Sequence, residues 1–429
     1  MEYSIRLPAP GGGRVTECMA RARDWLVARQ DPAGFWCGEL EGDTTLESYM
    51  ILLEAFFGRL GSPKSLDLAR TIRDEALSDG GWSQYVGGPA EVSVSCLSYL
   101  ALKIAGDAAD APHMARARQA IARAGGAERA NTYTKYHLAL FGQYPWARVP
   151  AIPPEMVFLP RASPFTVYDM SAWSRTIFVP LAILYAYKPV CQLPAALGVG
   201  ELFEGPAGAP AALSPGGLKR LFFGVDAALK LYERVPGTGF LRRAALQRAA
   251  KWMTDRLEDS DGLSAILPAM ANSAMALKCL GYDLGHPLLA EQLGYLDGLL
   301  LRGDDGALRM QPCLSPVWDT VLAGHALAQA SHAGRSRVAE GRILVVVEAV
   351  PSARRLEPPQ RRAAGRLVLR APKRILSRRG RHLHGAPGAT ECARARARGR
   401  PACGDRTWAH VDAGHAEQRR RLGQLRPRQ

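Results

Sequence analysis

Helical periodicity is the sequence feature that most constrains how this chain can fold. From about residue 15 to residue 331, apolar side chains recur at spacings of three and four residues, in segments such as 46–59, 92–104 and 172–186. Turns rich in Gly, Pro or Asp separate these segments, and the strict alternation typical of strands is scarce. Medium-length helices paired in this way predict an all-α fold, either a closed α/α barrel or an open solenoid.

The composition changes abruptly near residue 331. Residues 332–429 contain 24 basic residues against seven acidic ones, whereas the first 331 residues contain 31 against 33. Of the 32 aromatic residues in the chain, only Trp408 lies in this last part. The net charge of +15 therefore originates in the tail. We expect a structured region ending near residue 331 and a disordered basic tail that lacks the apolar anchors of a core.

The sequence also argues against a disulfide-bonded, metal-binding, membrane-spanning or secreted protein. The eight cysteines are scattered, with no C-x-x-C pair and no histidine cluster at metal spacing, which predicts a reduced protein without a metal site. No apolar run reaches the roughly 18 to 20 residues of a membrane span. The N-terminus lacks the basic-then-apolar layout of a signal peptide, so we expect a cytoplasmic location.

One turn pattern occurs more than once between predicted helices. Residues 30–36 read Q-x-x-x-G-x-W through Gln30, Gly34 and Trp36, and residues 76–82 repeat the pattern without the glutamine, through Gly80 and Trp82. A more degenerate copy stands at residues 260–263. In such a turn the glycine reverses the chain, the tryptophan covers it, and the glutamine binds unpaired backbone groups at a helix end.

These turns resemble the QW motif of squalene–hopene cyclases and oxidosqualene cyclases. Three longer stretches are similar to the bacterial squalene–hopene cyclases in particular. They are D-G-G-W-S-Q-Y-V-G-G-P-A-E-V-S-V-S at 79–95, F-G-Q-Y-P-W at 141–146 followed by S-A-W-S-R-T at 171–176, and Q-P-C-L-S-P-V-W-D-T at 311–320. The resemblance is continuous from about residue 16 to residue 331, roughly half of a full-length family member.

The resemblance implies a domain layout. Family members have two α/α barrels with a central cavity between them, and one barrel is inserted after the first helix of the other. By this analogy, residues 38–310 form the complete inserted barrel. Residues 1–37, with the first QW motif, and residues 311–331 are the opening pieces of the catalytic barrel, and residues 332–429 are the tail.

The resemblance also implies a reaction, the proton-initiated polycyclisation of squalene to hopene or hopanol in hopanoid biosynthesis. The family needs no cofactor or metal for this reaction. Consistently, Asp304 and Asp305 are followed by Leu308 where the metal-binding D-D-x-x-D of ionising terpene synthases requires another acid. The family's proton-donating D-x-D-D-T motif is absent from the 429 residues, so we expect the chain as written to be inactive.

Residue by residue, Trp173 and Trp318 match the family's cavity tryptophans, which pack against substrate and stabilise carbocations with their ring faces. Ile266 matches an aliphatic position that lines the cavity. Asp319 matches the acid that follows the second tryptophan and supports it without touching substrate. The alternative for each tryptophan is ordinary core packing.

Partners are implied in the same way. Squalene comes from the bilayer, and family members sit monotopically on the cytoplasmic side of the membrane, some of them as homodimers. The best local candidate for membrane contact is the segment that contains Leu218, Leu221, Phe222 and Phe223 beside two basic residues. The alternative is an ordinary amphipathic helix of the barrel. No nucleic-acid partner is expected of a cyclase.

The basic tail has an explanation at the level of codons. Arg-, Ala-, Gly- and Pro-rich sequence is typical of a GC-rich gene read out of frame. Shifting the frame by one base permits G-D-W-S at 354–357, D-V-D-D-T under residues 378–382 and M-Q-N-S-D-G-G-W from residue 415. These three family segments occur in family order. We therefore interpret residues 332–429 as frameshifted.

Two alternatives remain for the function of the whole chain. One is a true basic arm at residues 332–429 that binds nucleic acid or anionic lipid. The other is a non-catalytic α/α barrel that binds apolar ligands or partners. Salt-dependent retention on DNA that disappears when the tail is deleted would distinguish the first of these from a cyclase.

Overall fold

The structure is a computed structural model, and it describes residues 13–333 apart from residues 161, 164–165, 206–216, 236–238, 258–259 and 261. The side chains of residues 217–221 and 331–333 are likewise outside the description. The predictions made for the tail concern residues 332–429, of which residues 334–429 lie outside the described residues.

The described residues are mostly helical, as predicted. The helices, in chain order, are α1 (Gly13–Ala28), α2 (Thr45–Phe56), α3 (Pro63–Asp74), α4 (Val92–Ala105), α5 (Pro112–Arg123), α6 (Thr132–Leu140), α7 (Ala172–Tyr187), α8 (Gly217–Tyr232), α9 (Gly239–Leu257), α10 (Leu267–Cys279), α11 (Pro287–Asp297) and α12 (Pro316–Ala333). A short antiparallel hairpin, β1 (Leu300–Arg302) and β2 (Leu308–Met310), pairs Leu300 with Met310. α12 continues two residues past the predicted boundary at 331.

Local signals explain where individual helices begin and end. The carboxylate of Glu91 accepts hydrogen bonds from the backbone N–H groups of Ser93 and Val94, and so caps the start of α4. The same helix ends at Gly106, whose φ of 112° lies in the left-handed region. The periodic pattern predicts the start of α10 near residue 271. The helix begins four residues earlier, with Pro268 in its first turn, where a missing N–H costs nothing.

The main core consists of helices that are buried almost all round, with amphipathic helices packed outside them. Nearly every residue of α2, α4 and α10 is buried. α2 packs against α4 and α10, and α10 also packs against α7 and α11. α3 and α5 bury only one face each, through residues such as Leu68, Ile72, Met114 and Ile121. The large apolar surface buried in this way is the main source of stability in the region between α2 and β2.

α1 and α12 form a second, much smaller core with each other. Trp36, Ala323 and Leu327 are buried there, and Leu26 packs against them. The other faces of these two helices carry exposed apolar side chains, among them Val15, Trp25, Val27, Val321 and Leu322. The two segments on either side of residues 38–310 thus contact each other, although Trp36 and Thr320 are 284 positions apart in the sequence. The assignment of these pieces to separate domains stays a prediction.

Candidate functional site

The turn at residues 30–36 joins α1 to the chain leading into α2. Gly34 has a φ of 88°, and its N–H donates to the carbonyl of Asp31. The side-chain amide of Gln30 donates to the carbonyl of Gly34 over 3.2 Å. The buried indole of Trp36 donates from Nε1 to the carbonyl of Leu26, in the last turn of α1, over 2.8 Å. The turn therefore covers the end of α1 and donates a hydrogen bond to one of the carbonyl groups in its last turn.

The turn at residues 76–82 repeats this arrangement between α3 and α4. Gly80 has a φ of 92°, and a Cβ atom there would lie 2.6 Å from the backbone of Arg116, so only glycine fits. The buried indole of Trp82 donates to the carbonyl of Ile72, in the last turn of α3, over 2.6 Å. The geometry does not require the glutamine, because Ala76 occupies its position here.

The three residues matched to the family cavity all lie at the N-terminal ends of helices. Trp173 is in the first turn of α7, Ile266 is the residue that caps α10, and Trp318 is in the first turn of α12. Ile266 is half-buried, whereas Trp173 and Trp318 are 65% and 67% exposed. Both tryptophans thus differ from Trp36 and Trp82, which are buried against helix ends.

A string of contacts links these three helix starts. Thr176, one turn after Trp173, accepts a hydrogen bond of 2.8 Å from the hydroxyl of Ser264. Two residues later, Ile266 forms an antiparallel β-bridge with Cys313, and the N–H of Leu267 donates to the carbonyl of Pro312 over 2.9 Å. Pro316 then opens α12. A series of contacts therefore connects the first turns of α7 and α10 with the segment that leads into α12.

Asp319 follows Trp318, and its carboxylate accepts hydrogen bonds from one backbone amide and one hydroxyl. Its Oδ2 accepts from the N–H of Gly38 over 2.8 Å, and its Oδ1 accepts from the hydroxyl of Ser315 over 2.8 Å. Thr320 accepts from the N–H of Trp36 over 3.0 Å. Sequence reasoning missed the role of Thr320, since nothing in the sequence pairs it with a residue 284 positions away.

The segment considered for membrane contact lies in α8. Phe222 and Phe223 are 64% and 62% exposed, and Val225 and Leu231 on the same helix are exposed as well. The side chains of Leu218 and Leu221 lie outside the description. None of the helices within the described ranges is long and apolar enough to cross a membrane.

A buried polar cluster inside the main core was also missed by sequence reasoning. His137 on α6 lies edge-on to the rings of Tyr49 and Tyr133, with ring centroids 4.5 Å apart in each case. The hydroxyls of Tyr49 and Tyr136 both donate to Oδ1 of Asn272 on α10. Burial lowers the pKa of His137 to about 4. The tyrosines of this cluster fit an apolar helix pattern, and nothing in the sequence indicates that His137 and Asn272 contact them. The cluster was therefore not predicted.

A cavity of about 230 Å³ lies where the segment before α2 meets β2, and it is lined by Glu39, Glu41, Glu47, Glu75 and Arg309, among others. Glu47 is buried, and its carboxyl accepts a hydrogen bond of 2.7 Å from the N–H of Met310. Burial raises the pKa of Glu47 to about 8 against the lowering effect of that hydrogen bond. In the part of the chain that the structure describes, no three metal-binding side chains converge at a possible metal site.

Comparison with known proteins shows the family to which the chain belongs. The family described as "Squalene-hopene cyclase N-terminal domain" matches residues 19–305. This chain belongs to the squalene–hopene cyclase family. The squalene–hopene cyclase of Zymomonas mobilis is 38% identical over 333 residues, which are 75% of this chain and 50% of that protein.

Two further relatives carry the same name. The squalene–hopene cyclase of Bradyrhizobium diazoefficiens is 37% identical over 73% of this chain and 48% of its own length. That of Alicyclobacillus acidocaldarius is 34% identical over 72% of this chain and 49% of its own length. The chain therefore spans about half the length of the curated relatives that it matches, and the family resemblance seen in the sequence is confirmed.

Proposed function

We propose that this chain is the N-terminal half of a squalene-cyclising terpene cyclase. In this proposal, residues 38–310 form an inserted α/α barrel, and α1 and α12 are the opening helices of a catalytic barrel. Trp173, Ile266 and Trp318 form one wall of the cavity between them. The relatives named squalene–hopene cyclase support squalene as the substrate class.

The observation that carries the proposal is the contrast between two pairs of tryptophans. Trp36 and Trp82 are buried, and their indole N–H groups are hydrogen-bonded. Trp173 and Trp318 stand in first turns linked by the contacts described above, and about two thirds of each is exposed. Tryptophan is usually highly buried in folded proteins, so two exposed indoles at connected helix starts suit a surface that another part of the enzyme or an apolar substrate covers.

The chemistry of this half is to hold an apolar polyene and to stabilise cationic charge, without supplying the proton. An indole face attracts a nearby cation by about 0.5 to 2 kcal/mol, more when water is excluded. Asp319, the acid next to Trp318, does not suit alkene protonation, because its carboxylate oxygens already accept hydrogen bonds from the N–H of Gly38 and the hydroxyl of Ser315. The chain as written should therefore not cyclise squalene. The proton donor would come from the D-x-D-D-T segment that a one-base shift restores.

Deleting one base just after codon 331 and translating onward tests this proposal. Membrane extracts that contain the repaired protein should form hopene, with or without hopanol, from added squalene, whereas the unmodified chain should form neither. Replacing the central acids of the restored D-V-D-D-T should abolish the product. In the repaired protein, Trp318→Ala should lower the yield or leave partly cyclised material, whereas Trp25→Ala, at another exposed tryptophan of the same pair of helices, should change neither. Hopene formation by the unmodified chain would contradict the proposal.

The same proposal includes attachment to a membrane surface through α8. The exposed rings of Phe222 and Phe223 would insert at the boundary of headgroups and acyl chains, with Lys219 and Arg220 just before them in sequence. A squalene-binding protein has to take its substrate from a bilayer, so an exposed aromatic pair beside basic residues fits this requirement.

A further inference from the structure

The two QW turns share one more contact, in which the backbone N–H of the tryptophan binds a second helix. The N–H of Trp82 donates to the hydroxyl of Ser95 on α4 over 3.0 Å. The N–H of Trp36 donates to the hydroxyl of Thr320 on α12 over the same distance. Each tryptophan thus binds the preceding helix through its indole and a second helix through its backbone.

The partners differ in their distance along the chain. Ser95 lies 13 residues after Trp82, in the helix that directly follows the turn. Thr320 lies 284 residues after Trp36. α12 therefore has the same relation to α1 as α4 has to α3, and residues 38–310 interrupt a pair of helices that is complete in space. Thr320 and Trp36 are both buried, so water does not compete readily for this hydrogen bond.

A second contact comes from the neighbouring residue of α12. The carboxylate of Asp319 accepts from the N–H of Gly38, two residues beyond Trp36. Consecutive residues of an α-helix project about 100° apart around its axis. Two such contacts, to amides two residues apart on one segment, fix both the rotation of the helix and its position along that segment.

We propose that Thr320 is a positioning residue that, together with Asp319, fixes the rotation of α12 against residues 36–38 and thereby sets the direction in which Trp318 projects. The role of Trp318 toward substrate rests on the proposed function. The contact of Thr320 with the turn does not. Thr320 touches no reacting group in this proposal, and it acts only through the helix that carries Trp318.

Amide hydrogen exchange of the full chain tests the contact directly, because the donors are two identified backbone N–H groups. Thr320→Val removes the hydroxyl but keeps the shape of the side chain. We expect the amide of Trp36 to exchange at least about tenfold faster in this variant, while the amide of Trp82 is unchanged. Thr320→Ser restores the hydroxyl and should restore protection at Trp36. Ser95→Ala is the matched control and should expose the amide of Trp82 and leave that of Trp36 protected.

Three results would overturn the proposal. They are unchanged protection of Trp36 in Thr320→Val, equal loss of protection at Trp36 and Trp82 in that variant, and failure of Thr320→Ser to restore it. In the frame-repaired protein, Thr320→Val should also raise the proportion of partly cyclised product, and Thr320→Ser should not. If the repaired protein makes no cyclised product at all, the proposed function fails, and the exchange data still decide whether Thr320 binds the turn.

Discussion

At the scale of single residues, His137 shows how a polar group is kept inside an otherwise apolar core. Its Nδ1 donates a hydrogen bond of 2.8 Å to the carbonyl of Tyr133, while Nε2 has no hydrogen-bond partner among the described residues. The surrounding rings of Tyr49, Tyr133 and Tyr136 exclude water from the imidazole. Burial therefore disfavours the charged form, and the neutral ring is the one that the core accommodates.

His137 predicts a loss of stability in mild acid. Its pKa is about 4 in the folded chain and near 6.5 when the chain is unfolded, so the unfolded state binds the extra proton between these values. The free energy of unfolding should fall by up to about 3 kcal/mol as the pH drops from 6.5 to 4. Urea unfolding at several pH values should show this slope in the unaltered chain, and His137→Gln should flatten it. An equally steep slope in His137→Gln would contradict the assignment.

The raised pKa of Glu47 predicts the opposite pH dependence, a loss of stability as the pH rises. Burial, with nearby Glu75 and Asp43, raises its pKa to about 8 from an ordinary value of 4.5, so the folded state binds the extra proton in that interval. Stability contributed by the protonated carboxyl should be lost as the pH rises from 4.5 through 8. Glu47→Gln keeps an oxygen for the N–H of Met310 and should be less sensitive to alkaline pH in the same unfolding assay. An alkaline slope in Glu47→Gln as steep as that of the unaltered chain would contradict the assignment.

At the scale of elements, the helices were largely predictable because their signals are local. The apolar periodicity of α2, α4 and α7 and the turns around Gly34 and Gly80 lie within a few residues of the structures they encode. Contacts between distant segments were not predictable. The hydrogen bond of Thr320 to Trp36 and the β-bridge of Ile266 with Cys313 depend on how the whole chain closes, and periodicity carries no information on that.

For the candidate site, family motifs point to Trp173, Trp318 and Asp319, and their role toward substrate stays a prediction. Only the structure shows that Asp319 binds the backbone of Gly38 and that both indoles are exposed. Exposure of an aromatic ring depends on which other elements cover it, so a sequence pattern that is common to buried and exposed tryptophans does not distinguish them.

α8 gives a prediction about membrane binding. Replacing Phe222 and Phe223 together by Ser should at least halve the fraction of protein that floats with liposomes containing anionic lipid, because two exposed aromatic rings leave the interface. The matched control is the double change Tyr85→Ser and Val86→Ser, which removes two exposed apolar side chains from a loop elsewhere. Equal flotation of the two variants would show that α8 has no special role.

At the scale of the whole molecule, the change in composition near residue 331 predicts that proteases cut the tail before the rest of the chain. Brief digestion with trypsin should leave a fragment that ends shortly after Ala333, since residues 334–429 are rich in arginine and contain a single aromatic residue. Intact-mass measurement locates the cut. A resistant species that retains the C-terminus at Gln429 would contradict the expectation of an unpacked tail.

The meeting of α1 with α12 has a consequence for the order of events during synthesis. Residues 13–37 leave the ribosome early, yet the hydroxyl that binds Trp36 belongs to a residue made 284 positions later. At about 5–20 residues per second, roughly 15–60 s pass before that partner exists. During this interval the apolar side of α1 has no permanent neighbour, whereas α3 meets α4 within a few seconds. α1 is therefore more dependent on chaperones than α3, and a newly made protein should be more prone to aggregate before residue 320 emerges than after it.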